Sequence, residues 1–98
     1  MKIAEEFADF SAALEFQQLP QDVVEKTKIF FLDWLGSAVN GADALPTKMA
    51  LEVAEELKGK EESTAVADMS RNSCLMAALV NGISSHVVEM DDGHRKGI

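Results

Sequence analysis

The residues best suited to proton transfer or metal binding are concentrated near the C-terminal end of the chain. Their side chains are carboxylates and imidazoles, and they fall within nine positions: His86, Glu89, Asp91, Asp92 and His94. Such groups can remove and return protons once their surroundings adjust their pKa values to the reaction. This stretch is therefore the first candidate for a reactive site.

The local pattern places this stretch where a helix gives way to a loop. Ser73 is a suitable N-cap for a helix that extends to about Val88. His86 and Glu89 are three residues apart, so they share a face if the helix reaches that far. Asp92-Gly93 is a turn signal. A helix end can hold functional side chains in place while the loop exposes them.

Two other interpretations of this stretch remain open. Acidic residues beside a glycine at a helix end are usually a solvated turn, and a single histidine is more often structural than catalytic. The same five side chains also offer the mixed oxygen and nitrogen ligands that a divalent metal ion accepts. However, their spacing matches no standard metal-binding loop. A metal-binding helical domain is therefore an alternative function.

Apolar residues at intervals of three and four predict four helices, and so an all-α fold built as a small helical bundle. A short β-prone piece at 64–67 lies between turns at 60–63 and 68–72. The predicted helices cover residues 3–16, 20–40, 46–58 and 73–88.

Three residues in these helices carry specific structural predictions. Gly41 is expected to end the second helix in a left-handed conformation. Gly82 and its small neighbours are expected to let another helix approach closely. Asp33 lies among apolar residues and is expected to be a buried, hydrogen-bonded packing residue, since unpaired buried charge is costly.

The apolar bands at 30–39 and 77–88 are wide for helices of this length. Four short helices do not obviously cover both bands. A non-enzymatic interaction or dimerisation module is therefore a further alternative function.

Composition limits the partners and the setting. The 98 residues are enough for one small domain, and 47% are hydrophobic. The net charge of -8 disfavours nucleic acid and anionic membrane surfaces as partners. A single cysteine, Cys74, excludes an intrachain disulfide and fits a reduced, cytoplasmic setting. The acidic start, with Glu5 and Glu6, does not resemble a signal peptide.

Three short motifs together resemble one known family. The first is Leu32-Asp33-Trp34-Leu35-Gly36, and the second is Glu62-Ser63-Thr64 followed by a short apolar piece. The third is Asn81-Gly82 with His86 and then Glu89-Met90-Asp91-Asp92. In order and spacing, along nearly the whole chain, they resemble the motifs of MmgE/PrpD proteins.

The resemblance implies a fold and an activity. The family includes 2-methylcitrate dehydratases, cis-aconitate decarboxylases and iminodisuccinate epimerases, which act on small polycarboxylic acids. It implies a larger all-helical domain, a second α+β domain, a homodimer, and no metal or organic cofactor. Residues 1–98 would then be the front part of the helical domain, without the second domain, and catalytically incomplete alone.

The resemblance also implies roles for individual residues. Glu89, Asp91 and Asp92 fall on the acids of the family signature and, with His86, are the expected catalytic residues. The expected substrate-binding residues are Asn81, His94, Arg95 and Lys96.

Two of these positions bear on the chemistry of the site. Glu89 stands where Asp is commoner, which moves its carboxylate outward by about one methylene. Arg95 can hold a carboxylate through two hydrogen bonds. The chemistry common to the family is proton removal next to a carboxylate, which needs a base, an acid and cationic groups.

Overall fold

The computed structural model describes residues 2–89 and confirms a mostly helical fold with four helices and a small two-stranded sheet. The helices are α1 (Lys2–Ala13), α2 (Gln21–Asn40), α3 (Leu45–Glu56) and α4 (Cys74–His86). A single 3-10 turn, Phe16–Gln18, lies between α1 and α2. The sheet pairs β1 (Ser63–Ala65) with β2 (Ser70–Asn72) and lies between α3 and α4 in the chain.

Helix α4 is the element on which the others pack: it contacts α2, α3 and the β-hairpin. Its start is confirmed, because the Ser73 side chain accepts a hydrogen bond from the Met76 N–H. Val80 and Ser84 are fully buried. Val80 packs in one cluster with small residues of the neighbouring elements, Ala50 and Ala65 among them. Small side chains at these positions let the elements approach closely.

The β-hairpin contains a strand where a turn had been expected. Ser63 pairs with Asn72 and Ala65 with Ser70, so residues 70–72 form a strand rather than part of a turn over 68–72. Ser70, Arg71 and Asn72 have little intrinsic strand preference. The turn itself covers only 66–69. Within it Met69 has a φ of 60°, and the Asp68 carboxylate accepts a hydrogen bond from the Ser70 N–H.

Asn72 fixes the hairpin to the rest of the fold through its side chain. The amide Nδ2 donates to the Ala54 carbonyl at 2.7 Å, near the end of α3. The amide Oδ1 accepts from the Gly59 and Ser73 N–H groups. Asn72 is buried, and these bonds satisfy backbone groups that would otherwise lose their hydration.

Gly41 ends α2, but the predicted left-handed conformation is wrong, because its φ is -82°. Glycine is required at position 41 because the backbone of α4 lies directly against it. A Cβ atom on Gly41 would overlap the Ser84 carbonyl oxygen and lie 2.8 Å from Cγ1 of Val87. The close approach predicted at Gly82 is also wrong, since a Cβ there would meet nothing within 4 Å. The tight contact between α2 and α4 lies at Gly41.

Helix α1 and much of α2 lie outside the core. No residue of α1 is buried, and in α2 only Ser37 and Ala38 are. Asp33 is exposed, so its predicted burial is wrong for the described part of the chain. Over residues 2–89, none of the helices has the length and apolar content needed to cross a bilayer.

The two glycines give a matched test of this packing. We expect Gly41→Ala to destabilise the fold by about 1–3 kcal/mol, because the added methyl forces α2 and α4 apart. Gly82→Ala should instead stabilise it by about 0.5–1 kcal/mol, since the site is open and alanine favours a helix interior. Urea unfolding followed by circular dichroism measures both, and equal effects would contradict the contact at Gly41.

Candidate active site at the end of α4

The predicted catalytic residues that the structure describes lie where the chain leaves α4. His86 is the last residue of the helix, and Glu89 follows three residues later. The Glu89 N–H donates to the His86 carbonyl at 2.9 Å, which closes a turn between the two residues. Both residues are exposed. An acid and an imidazole therefore lie close together in the chain at an accessible helix end.

Glu89 has an unusual backbone conformation. Its φ is 53°, in the left-handed region that glycine adopts freely and other residues rarely adopt. Glu89 lies two residues beyond Val87, the C-cap of α4, and residues that take this conformation just after a helix are usually glycine. A glutamate there costs about 1 kcal/mol relative to glycine. A carboxylate is present at a position where the backbone alone favours glycine.

The end of α4 is anchored from the side opposite its exposed residues. Ser84 and Ser85 are buried, and Val87 lies against the position of Gly41. Because α2 ends at this contact, the last turn of α4 cannot shift without moving α2. His86 and Glu89 thus extend from a fixed support.

Asn81 connects α4 to the hairpin. Its side-chain Oδ1 accepts from the Val66 N–H at 2.8 Å, and its Nδ2 donates to the Thr64 carbonyl at 3.0 Å. The amide therefore acts like one residue of an added strand along β1. Asn81 had been predicted to bind substrate, and the structure gives its side chain a positioning role for α4.

The second sequence motif also serves to position α4. The Glu62 carboxylate accepts a hydrogen bond from the Cys74 N–H at 3.2 Å, at the first turn of the helix. An acid suits this end of a helix because the free N–H groups there carry partial positive charge. Thr64 supplies the carbonyl that Asn81 contacts. The second and third motifs are therefore in direct contact.

The first motif lies on α2, beside a shallow groove along that helix which was not predicted from the sequence. The volume of this groove is about 430 Å³. It is lined by Ile29, Leu32, Asp33, Gly36, Ser37 and Asn40. A Cβ on Gly36 would meet nothing within 4 Å. The signal in the sequence was Gly36 itself, since a glycine inside a helix is unfavourable and suggests a special role for that surface. No contact within the described residues accounts for it.

Five predicted site residues lie outside the residues that the structure describes: Asp91, Asp92, His94, Arg95 and Lys96. Their convergence with His86 and Glu89 stays a prediction. Within residues 2–89, no group of three or more His, Cys, Asp or Glu side chains is arranged to hold a metal ion.

Asn81→Asp tests the positioning role of the amide. The new carboxylate can still accept a hydrogen bond from the Val66 N–H. It has no N–H to donate to the Thr64 carbonyl, so two oxygen acceptors face each other there. We expect a loss of about 1–3 kcal/mol in the free energy of unfolding. Thermal unfolding measures it, with Gln17→Glu at an exposed position between α1 and α2 as the amide-to-carboxylate control that should change little. An Asn81→Asp variant as stable as the wild type would contradict this role.

Comparison with known proteins gives one match. The family model described as MmgE/PrpD N-terminal domain matches residues 5–98. No curated protein and no solved structure matches in the corresponding searches. The match covers nearly the whole chain and includes all three motifs. The chain belongs to the MmgE/PrpD N-terminal domain family.

Proposed function

We propose that this chain supplies part of the active site of a cofactor-independent lyase or isomerase that acts on small polycarboxylic acids. The observation that carries the proposal is the end of α4, where an exposed acid and an exposed imidazole extend from an anchored helix. Glu89 keeps an unfavourable backbone conformation at that point. Unfavourable conformations of this kind are concentrated at functional sites.

In the proposed chemistry, Glu89 takes a proton from the carbon next to a substrate carboxylate. The electron pair left on that carbon is delocalised into the carboxylate, where positive groups stabilise the developing negative charge. His86 is placed to exchange protons with the same substrate. Dehydration and epimerisation both follow from this step: in dehydration the hydroxyl of the neighbouring carbon then leaves as water, and in epimerisation a proton returns to the opposite face of the same carbon. In decarboxylation carbon dioxide leaves instead of the proton, and the carbanion that remains takes up a proton from an acid of the site.

Electrostatics requires a local cluster of positive charge for such a substrate. The chain carries a net charge of -8, which repels a polycarboxylate at long range. Arg95 and Lys96, with His94, are the cations nearest in sequence to the proposed base. We assign them to substrate binding. Because one or two cations and a few acids do not complete the set of groups, further residues of the enzyme are required for turnover.

Deuterium incorporation tests the proton-removal step directly. The enzyme that carries this domain is incubated with 2-methylcitrate or iminodisuccinate in D₂O, and exchange of deuterium into the carbon next to the carboxylate is followed by NMR in the recovered substrate. Glu89→Gln should reduce the rate by about 100-fold or more, because a general base contributes at least that factor. Glu52→Gln, on the exposed surface of α3, is the matched control and should leave the rate unchanged. Equal rates in wild type and Glu89→Gln would contradict the proposal.

Glu89→Gly separates chemistry from folding. Glycine adopts the left-handed conformation freely, so we expect the free energy of unfolding to rise by up to about 1 kcal/mol. The same change removes the carboxylate, so deuterium incorporation should fall as it does in Glu89→Gln. A residue kept only for structure would give the opposite pattern, with activity retained and stability lowered.

A second candidate function, a helical interaction module, is favoured by one specific observation. Large apolar side chains on α1 and α2 are exposed, Phe7 at 70% and Leu32 at 66% among them. Exposed apolar surface of this extent commonly marks an interaction site. This role concerns a different surface from the end of α4, so the two functions are compatible.

A further inference from the structure

The joint between α2 and α4 is made by a glycine, which permits a close approach without fixing it. Gly41 has no Cβ, so its backbone lies directly against the Ser84 carbonyl of α4. The same lack of a side chain gives glycine a wider range of φ and ψ angles than any other residue. Another group must therefore hold the Gly41 peptide in the orientation that keeps α2 against α4.

Thr47 supplies that group from the first turn of α3. Its hydroxyl donates to the Gly41 carbonyl at 2.7 Å, and its side chain is fully buried. The N–H of Ala44, the N-cap of α3, donates to the same carbonyl at the longer distance of 3.2 Å. Because the Thr47 hydroxyl is shielded from water, solvent does not compete for its hydrogen bond. The start of α3 thus holds the carbonyl at the end of α2.

The Gly41 joint lies next to the turn that carries the proposed base. Cγ1 of Val87 lies 2.8 Å from the position that a Cβ on Gly41 would occupy. Val87 is the C-cap of α4. Two residues later, the Glu89 N–H donates to the His86 carbonyl at 2.9 Å. A rotation of the Gly41 peptide would therefore displace Val87 and, with it, the turn from which Glu89 extends.

The rate of proton removal is sensitive to such a displacement. Misplacement of a reacting group by about 1 Å can lower a rate by about 100-fold, even when the change lies far from the chemistry. The Asn72 and Asn81 side chains hold the start and the middle of α4. Its last turn is held by the contact with Gly41. The Thr47 hydroxyl therefore has its largest effect on the part of α4 that leads to Glu89.

We propose that Thr47 is a positioning residue for proton removal by Glu89. Its hydroxyl holds the Gly41 peptide, that peptide fixes the last turn of α4, and the turn sets the position of the Glu89 carboxylate relative to the substrate. Thr47 is buried and acts through Gly41, without touching the substrate. This inference rests on the proposed function, so its test includes Glu89→Gln.

A graded series at Thr47 tests the inference in the enzyme that carries this domain. Thr47→Ser keeps the hydroxyl donor, Thr47→Cys replaces it with a weak donor, and Thr47→Val removes it. The measurement is the rate of deuterium exchange into saturating substrate, per enzyme shown to be folded by circular dichroism. We expect a rate near the wild type for the serine variant, a lower rate for the cysteine variant, and a rate lower by about tenfold or more for the valine variant.

Ser73→Ala is the control for a general loss of stability. It removes the cap at the opposite end of α4, so it weakens the helix but should leave the rate of substrate exchange unchanged.

Amide hydrogen exchange of the protein, followed by mass spectrometry, gives a second measurement that needs no substrate. We expect the amides of residues 85–89 to exchange about threefold faster or more in Thr47→Val, because the last turn of α4 opens more often. Thr47→Ser and Ser73→Ala should keep the wild-type exchange at these amides. If the valine variant does not fold, Thr47→Cys decides both measurements.

The outcomes separate this inference from the proposed function. A wild-type rate of substrate exchange in Thr47→Val, with Glu89→Gln slowed, would overturn the positioning role and leave the proposed function standing. Equal losses of rate in Thr47→Val and Ser73→Ala would show a general effect of stability and would also overturn the positioning role. A wild-type rate in Glu89→Gln would overturn the proposed function and the positioning role with it.

Discussion

The described fold depends on one steric constraint: the backbone at the end of α2 lies against the backbone of α4, with no side chain between them. Only glycine at position 41 permits this contact, because any Cβ would overlap the Ser84 carbonyl oxygen. Thr47 reinforces the same place from α3, where its buried hydroxyl donates to the Gly41 carbonyl at 2.7 Å. The contact brings the ends of α2 and α4 together, and so it fixes the place where the chain leaves α4 toward the acid-rich stretch.

Two buried or half-buried amides complete the support of α4. Asn72 joins the hairpin to α3 and to the start of α4, and Asn81 joins the middle of α4 to β1. The Asn72 amide satisfies backbone groups at the end of α3 and the start of α4, and the Asn81 amide satisfies backbone groups of β1 and the turn that follows it. The core is otherwise made of alanine and a few larger side chains, so its apolar burial is modest. Directional hydrogen bonds therefore contribute much of the specificity with which α4 is held.

The sequence predicted the helices well because their signal is repetitive. Apolar residues at intervals of three and four recur over many turns, and Ser73 has a simple local role as a cap. Strand β2 was missed because its three residues have little strand preference. They pair with β1 only because the turn at Asp68 and Met69 brings the two strands together. The reason for Gly41 lies in a residue more than forty positions later, which local patterns do not contain. Burial of Asp33 was wrongly predicted, because Leu32 beside it is exposed and Trp34 is only half-buried in the described part of the chain.

The candidate site was predicted in part for similar reasons. The motifs pointed to the end of α4, and the family match covers them. Spacing could not show that Asn81 is engaged by the hairpin, or that Glu89 adopts a left-handed conformation. These features depend on tertiary contacts and on how the helix ends.

The central claim is that the anchored end of α4 is where a polycarboxylate is bound. Titration of the ¹⁵N-labelled chain with a tricarboxylate, followed by amide chemical shifts, tests it most directly. We expect the largest shifts on residues 86–98, with α3 and the exposed side of α1 unaffected. Shifts confined to the α2 groove, or no saturable shifts near Glu89, would contradict it.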